Sequence, residues 1–402
     1  MDNPPTNASE KSGLNPKCLE ESVIQGFEKL ARKIQQMLNQ HVTRTVPVDA
    51  VDSRETLHYR LQSALLPLLN DQLATLLTFL DHSSMKNEPE SKLERILEIQ
   101  PELEHNITQI HSDILVICPE SLSNSSQTDD QLLKGFKVYM LLELKKKWHH
   151  VSGVLLHAFS RAADCIQDME LSTGGSSDMS REFSPCRYWI LQAIDFIKLT
   201  SRYLNESELD IVEDSGKEPT AKIVGLLDRN IILAKHDLPL PPSQCRFAHQ
   251  PAFHLACLAR VLLQLSRLFF KKLSRHEMNS HTFPLSTQMN SDQLEALCQL
   301  AENVLADHRD IENLIYYADD HIEEGVPIDA QALTHKAELL ASRFEGPLLC
   351  VFSYLVPLIE SLPDRDYYRD WFDTWNFLLK LAVHNFVQAA ETLPSLEFPA
   401  YY

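Results

Sequence analysis

The run LLCVFSYLVPLI at positions 348–359 leaves almost no polar face to turn to water, so any fold that contains it has to cover it on several sides. It falls short of the roughly 20 apolar residues that a bilayer crossing needs, which makes it the central helix of a soluble bundle. Gly346 and Pro347 precede the run and Pro357 lies inside it. Proline removes an amide donor and collides with the preceding turn, so the axis should bend and its neighbours should wrap a kinked rod.

Helix is the only regular element that the rest of the chain advertises. Only 10 glycines occur in 402 residues, and long stretches are rich in Leu, Ala, Glu, Gln and Lys, which lose little side-chain freedom in a helix. Apolar residues recur at steps of three and four through 17–40 (Leu19, Val23, Phe27, Leu30, Ile34), 54–81, 90–117, 129–169, 185–205, 220–236, 252–273, 291–324, the helix containing 348–359, and 365–392. Caps are expected at Asp52-Ser53, at Ser91 with Glu94, at Ser291-Asp292 and at Asp329. The fold class is all-α, about ten helices in two packed antiparallel bundles. Residues 1–16 read as a disordered tail, 17–171 as the first bundle, 172–184 as the linker, 185–393 as the second bundle and 394–402 as a tail. The acidic stretch 206–218 has no apolar periodicity and reads as a loop. It and the linker should be exposed and mobile.

A balance of 37 basic against 56 acidic residues gives a net charge of −19, which repels phosphate backbones and anionic membrane surfaces. No nucleic acid and no membrane is expected as a partner. The polar N-terminus has neither the apolar core of a signal peptide nor the pattern of a transit peptide, so the cytoplasm and nucleus are the expected compartments. The eight cysteines contain no CxxC and read as free thiols.

Catalysis needs a constellation, and the usual ones are missing. No GxxxxGK[ST], GxGxxG or GxSxG occurs, and the ExxH spacings at Glu102–His105 and Glu55–His58 are not read as a di-iron site, which also needs two further glutamates converging from facing helices. No catalytic, cofactor-binding or metal-binding residue is therefore assigned, and no cofactor is expected. Cys245, His249, His254 and Cys257 place four potential zinc ligands within thirteen residues, but without a paired CxxC or HxxxH spacing, and the chain is expected to fold without metal. His308 sits on the apolar stripe between Val304 and Ile311 and reads as a hydrogen-bonded core histidine. The LxxLL patterns at 65–69 and 73–77 read as the core face of a leucine-rich helix, and Lys145, Lys146 and Lys147 as a solvated face beside Trp148. Trp371 and Trp375, one turn apart, should both anchor the core, with Leu378, Leu379, Ala382 and Phe386 continuing their face.

Residues 250–392 carry a family likeness. PAFHLACLARVLLQLSRLFFKKL (251–273), SDQLEALCQLAENVLADHRDIENLIYYADDHIEE (291–324), an apolar helix and a closing amphipathic one resemble the second half of the cyclin-D-binding proteins (Grap2 and cyclin-D interacting proteins). The resemblance implies a helical-bundle regulator of cell-cycle and transcription complexes that acts through protein contacts. The chain departs from the family in its aromatic-rich helix around Trp371 and Trp375, and in a family acidic insert represented only by 206–218; no contact residue carries over. The expected role is a non-enzymatic intracellular adaptor or regulator whose protein partner and oligomeric state the sequence does not name. The alternative is an enzyme or small-ligand carrier with a pocket between kinked core helices near Pro347 and Pro357.

Overall fold

The computed structural model describes residues 16–39, 51–81, 85, 88–118, 129–168, 185–234, 247, 249–274, 278, 284–321 and 329–392, and every regular element among them is a helix. Among the described residues twelve α-helices join into ten helical rods, and the chain divides into two compact units, one within Met1–Ser125 and Met140–Asn205 and the other within Ser126–Tyr139 and Glu206–Tyr402. The expected tails and the 172–184 linker lie outside the described residues, apart from Pro16.

The first unit contains α1 (Pro16–Asn39), α2 (Val51–Arg60), α3 (Leu66–Phe79), α4 (Pro89–Ile117), α5 (Val138–Asp168) from Met140 onward, and α6 (Pro185–Tyr203). α4 packs on α1, α2 and α3, and α3 packs on α6. The stripe expected of α1 is buried from Leu19 through Met37, and Phe27 stacks on Phe159 of α5 at 6.2 Å. Gly26 lets α4 approach: a Cβ there would lie 1.9 Å from Oε1 of Gln100, whose Nε2 donates to the Val23 carbonyl at 2.9 Å. Both LxxLL segments serve this core, with Leu66, Leu69, Leu73 and Leu76 buried.

The second unit contains α7 (Glu208–Ala234), α8 (Gln250–Leu273), α9 (Ser291–His321), α10 (Ala330–Arg343), α11 (Glu345–Cys350) and α12 (Leu362–Thr392). α9 touches α7, α8, α10 and α11, while α12 closes on α8 and α10. Its aromatic centre is Phe269, Phe344, Phe372 and Trp375, with Phe269 4.7 Å from Trp375 and 5.0 Å from Phe344. α8 (Gln250–Leu273) and the rod Ala330–Leu358 are long and apolar enough to cross a membrane by length and composition alone. In the fold each contributes a row of core residues, among them Leu262, Phe269, Leu340 and Val351.

Each unit uses one device to absorb a proline. α2 and α3 are joined by a π-turn at Leu61–Leu65, two residues before Pro67, and α11 runs into a π-turn at Val351–Leu355, two residues before Pro357. A π-turn widens the helix by one residue, which relieves the clash between a proline ring and the preceding turn. In the first unit Nδ2 of Asn106 reaches the Leu65 carbonyl at 3.2 Å. Around Pro357 the regular α-helix gives way to a π-turn followed by a 3₁₀ turn at Val356–Leu358.

Several expectations are corrected. The boundary falls at Asn205/Glu206 rather than at 172–184, because α6 packs on α3. The stretch 206–218 is not a loop: α7 begins at Glu208, and Leu209, Ile211 and Val212 are buried. α5 starts at Val138, not 129, since Lys134 takes a left-handed φ of 51°; Leu132 and Leu133 are exposed instead of lying on its stripe. The cap of α9 is Asn290 rather than Ser291-Asp292, and α4 already begins at Pro89, ahead of Ser91. Asp329 does cap α10, accepting from the Ala332 amide at 2.8 Å. The run 348–359 is covered on most of its circumference, with Leu348, Cys350, Val351, Leu355, Val356 and Ile359 buried, and leaves one exposed strip at Leu349, Ser353 and Pro357, four residues apart.

Candidate functional site

α8 is the helix on which the chemistry of the second unit converges, because two of its faces carry charge. One face, Arg267, Phe270, Lys271 and Ser274 at helical spacing, lines a cavity of about 370 Å³ between α7, α8 and α9. Val212, Val224, Leu297 and Ala301 supply apolar wall, and Glu213, Lys217 and Thr220 of α7 complete the rim. Gly216 faces α9, and a Cβ on it would meet Cβ of Ala301 at 3.7 Å, an ordinary contact distance. Pro219 interrupts the amide ladder of α7 beside the same cavity. Lys217 pairs with Asp214, whereas Arg267 has no ion-pair partner among the described residues. At the helix end both the amide and the hydroxyl of Ser274 donate to the Lys271 carbonyl, at 3.3 and 2.8 Å.

The other charged face of α8 holds Lys272, a largely buried lysine inside an aromatic cage. Its Nζ lies 4.6 Å from the ring of Tyr367, 4.4 Å from Tyr368 and 5.6 Å from Trp371, and it also donates to the Tyr367 hydroxyl at 3.3 Å. Cation–π contact with partly desolvated rings compensates an ammonium for lost water. This places Trp371 at a half-buried polar seam, whereas Trp375 sits in the core and donates from Nε1 to the Leu265 carbonyl at 2.8 Å. Leu378, expected on the inner face, points outward with Phe377 and Leu381; the three are 43%, 66% and 44% exposed.

A third cluster fastens the segment Ser126–Tyr139 into the second unit. Lys137 and Glu208, both fully buried, form an ion pair. Glu208 Oε2 accepts from the Thr287 amide at 2.9 Å and hydroxyl at 2.7 Å, while Lys137 donates to the Thr287 carbonyl at 3.0 Å. Asp130 accepts from the Val138 amide at 2.7 Å and from the Ser291 amide at 2.9 Å. The Ser291 hydroxyl in turn donates to Asp130 and accepts from the Tyr139 amide at 2.8 Å. Every charged group in this knot has partners, the condition under which a buried ion pair is tolerated.

The residues weighed in the sequence are placed as follows. His308 is buried and lies 2.9 Å from Ser266 Oγ through Nε2, the core histidine expected. Since the Ser266 hydroxyl gives its proton to the Leu262 carbonyl at 3.0 Å, it accepts from Nε2–H of a neutral His308. Burial pushes the His308 pKa down to about 3. Of the potential zinc ligands, His249, His254 and Cys257 are described and do not form one cluster: His249 is held by Asp319, which accepts from its amide at 2.9 Å and meets Nδ1 at 3.1 Å. His254 is exposed, Cys257 is half-buried and Cys245 lies outside the described residues. Among the described residues no group of three or more His, Cys, Asp or Glu is placed to hold a metal ion. Lys146 is exposed and pairs with Glu143, whereas Lys145 and Lys147 are half-buried, Lys147 over the Tyr203 ring, so only part of the expected solvated face is solvated. The Cys118 thiol is pushed up to about 12 by burial, which keeps it protonated and unreactive.

Sequence reading missed the cavity, the cage and the knot. The signals were present in part: Ser207 with Asp210 is a capping box, the Ser207 amide and hydroxyl meeting the Asp210 carboxylate at 3.0 and 2.7 Å, and it marks the start of the helix that walls the cavity. The cavity described here lies beside Pro219, away from the place near Pro347 and Pro357 where the ligand-carrier alternative expected a pocket.

Two family models match the chain, one described as a domain of unknown function (DUF8723) over residues 54–205 and the other as a domain of unknown function (DUF8721) over residues 207–388. No curated protein and no solved structure matches it. The junction between the two matched regions coincides with the boundary between the units at Asn205/Glu206.

Proposed function

We propose that the protein is a non-enzymatic adaptor or regulator that works by protein contact, and that its contact surface is the outward face of α12. The observation that supports this is the exposed apolar triad Phe377, Leu378 and Leu381 on a helix whose opposite face is fully engaged with α8 and α10. Apolar side chains grouped on one exposed helix face are the usual anchor of a helix-on-helix contact. Exposed Asp370 and Asp373 flank the triad on a chain of net charge −19, so the fitting occupant is an amphipathic partner helix with an apolar stripe and a basic flank. The resemblance of residues 250–392 to the cyclin-D-binding proteins points the same way, to cell-cycle or transcription complexes in the cytoplasm or nucleus.

The test is affinity purification with the parent and with Phe377→Glu/Leu381→Glu, followed by reconstitution from purified components. A partner bound by the parent through such a helix, and lost by a double variant with unchanged melting temperature, supports the proposal. Undiminished binding by the folded variant, or a partner without a basic amphipathic helix, overturns it.

A further inference from the structure

We infer that the cavity between α7, α8 and α9 is a binding site for a small anionic amphiphile, a carboxylate or phosphate monoester carried on an alkyl chain. This site is separate from the α12 surface and stands or falls independently of it. The cavity measures about 370 Å³, within the range of small-molecule sites and more than ten times the share of volume that one liquid water takes, about 30 Å³. The cleft opens to solvent at its rim, where Lys217, Arg267 and Lys271 are exposed, so a ligand can enter it without the helices moving apart.

The lining specifies what would fill it. Its deep wall is hydrocarbon, from Val212, Leu297 and Ala301, all buried, and suits an alkyl chain. Its rim holds three cations, Lys217, Arg267 and Lys271, against two acids, Glu213 and the Asp214 that pairs with Lys217. That is a local excess of positive charge on a chain whose formal charge is −19. Lys217 is neutralised by Asp214, which leaves Arg267 as the head-group residue: its guanidinium has no ion-pair partner among the described residues and presents a planar fork that matches a carboxylate or phosphate. Lys271 lies one turn further along the same face of α8. A cationic or uncharged amphiphile would find the same wall but would leave the guanidinium without an anion, and a bare anion would find the charge but leave the wall uncovered.

Calorimetric titration of the full chain with decanoate, decyl phosphate, decyl maltoside and inorganic phosphate, each monomeric in solution, tests the site. Saturable binding of decanoate, decyl phosphate or both is expected, with decyl maltoside at least about tenfold weaker and inorganic phosphate giving no heat. The ratio of the two anionic ligands tells a fatty-acid preference from a lipid-phosphate preference. Arg267→Glu should lower the affinity about tenfold or more at unchanged melting temperature. Ala301→Phe should abolish binding by filling the wall; if that variant does not fold, Val224→Trp serves instead. No saturable binding by either anionic ligand, equal affinity for the maltoside or for bare phosphate, or binding indifferent to both the rim and the wall variants overturns the inference.

Discussion

His308 shows how far a single buried side chain can tie stability to pH. Its pKa of about 3 in the fold lies below the ordinary value of 6.5 because burial penalises the charged ring. Above the ordinary value both folded and unfolded chains hold it neutral. As pH falls from about 6.5 toward 3 the unfolded chain takes up a proton that the folded one refuses, so stability drops, by at most about 1.4 kcal/mol for each pH unit. Urea unfolding of the parent and of His308→Gln at pH 7, 6 and 5 should show a steeper loss in the parent. Identical slopes would mean that His308 is not held neutral. This residue was legible from its place on an apolar stripe between Val304 and Ile311. Lys272 was not: a lysine reads as surface by type, and only the fold brings Tyr367, Tyr368 and Trp371 around it. For the same reason Trp371 and Trp375, equivalent by spacing, have different surroundings.

At the level of elements, periodicity located most helices to within a few residues and failed where charge masked it. α7 opens with Glu208, Asp210, Glu213 and Asp214 and includes Gly216 and Pro219, a composition that reads as loop, yet Leu209, Ile211 and Val212 are buried against the rest of the unit. The capping box of Ser207 and Asp210 carries the information that composition hides. Replacing Ser207 by Ala should destabilise the protein by about 1 kcal/mol, the usual value of an N-cap, while Ser215→Ala further along the helix should have a smaller effect. Equal effects in thermal melts would remove the capping role. Limited proteolysis belongs to the same test, since a helix with a buried face resists cleavage and a loop does not. The cavity could not be read at all, because it depends on Gly216 meeting Ala301 and on which faces of three helices leave a gap between them.

At the level of the molecule, the chain crosses between its two units more often than its sequence suggests. Ser126–Tyr139 belongs to the second unit although the residues on either side belong to the first, and the Lys137–Glu208 pair fastens it there. Lys137→Met should cost about 3–5 kcal/mol, because Glu208 would keep its burial and lose its counter-charge. Lys137→Met/Glu208→Leu, which removes both charges, should recover much of that loss in denaturant unfolding. A double variant no better than the single would show that the surrounding hydrogen bonds, not the charge pairing, hold the segment. Neither the boundary at Asn205/Glu206 nor the strap was visible: the linker was expected at 172–184, and nothing in 126–139 distinguishes the strap from an ordinary connection.

That strap also sets an order of events during synthesis. Asp130 must wait for Ser291, 161 residues further along the chain, which at about 5–20 residues per second is roughly 8–32 s on the ribosome. Through that interval the first unit can close around α5, whereas the strap carries a buried-type lysine and aspartate with nothing yet made to receive them. A gene divided at the apparent boundary makes the wait permanent. The amino-terminal product keeps an unsatisfied strap, the carboxy-terminal one keeps Glu208 and Ser291 without their partners, and the two halves are better regarded as one cooperative product of translation than as modules to be exchanged.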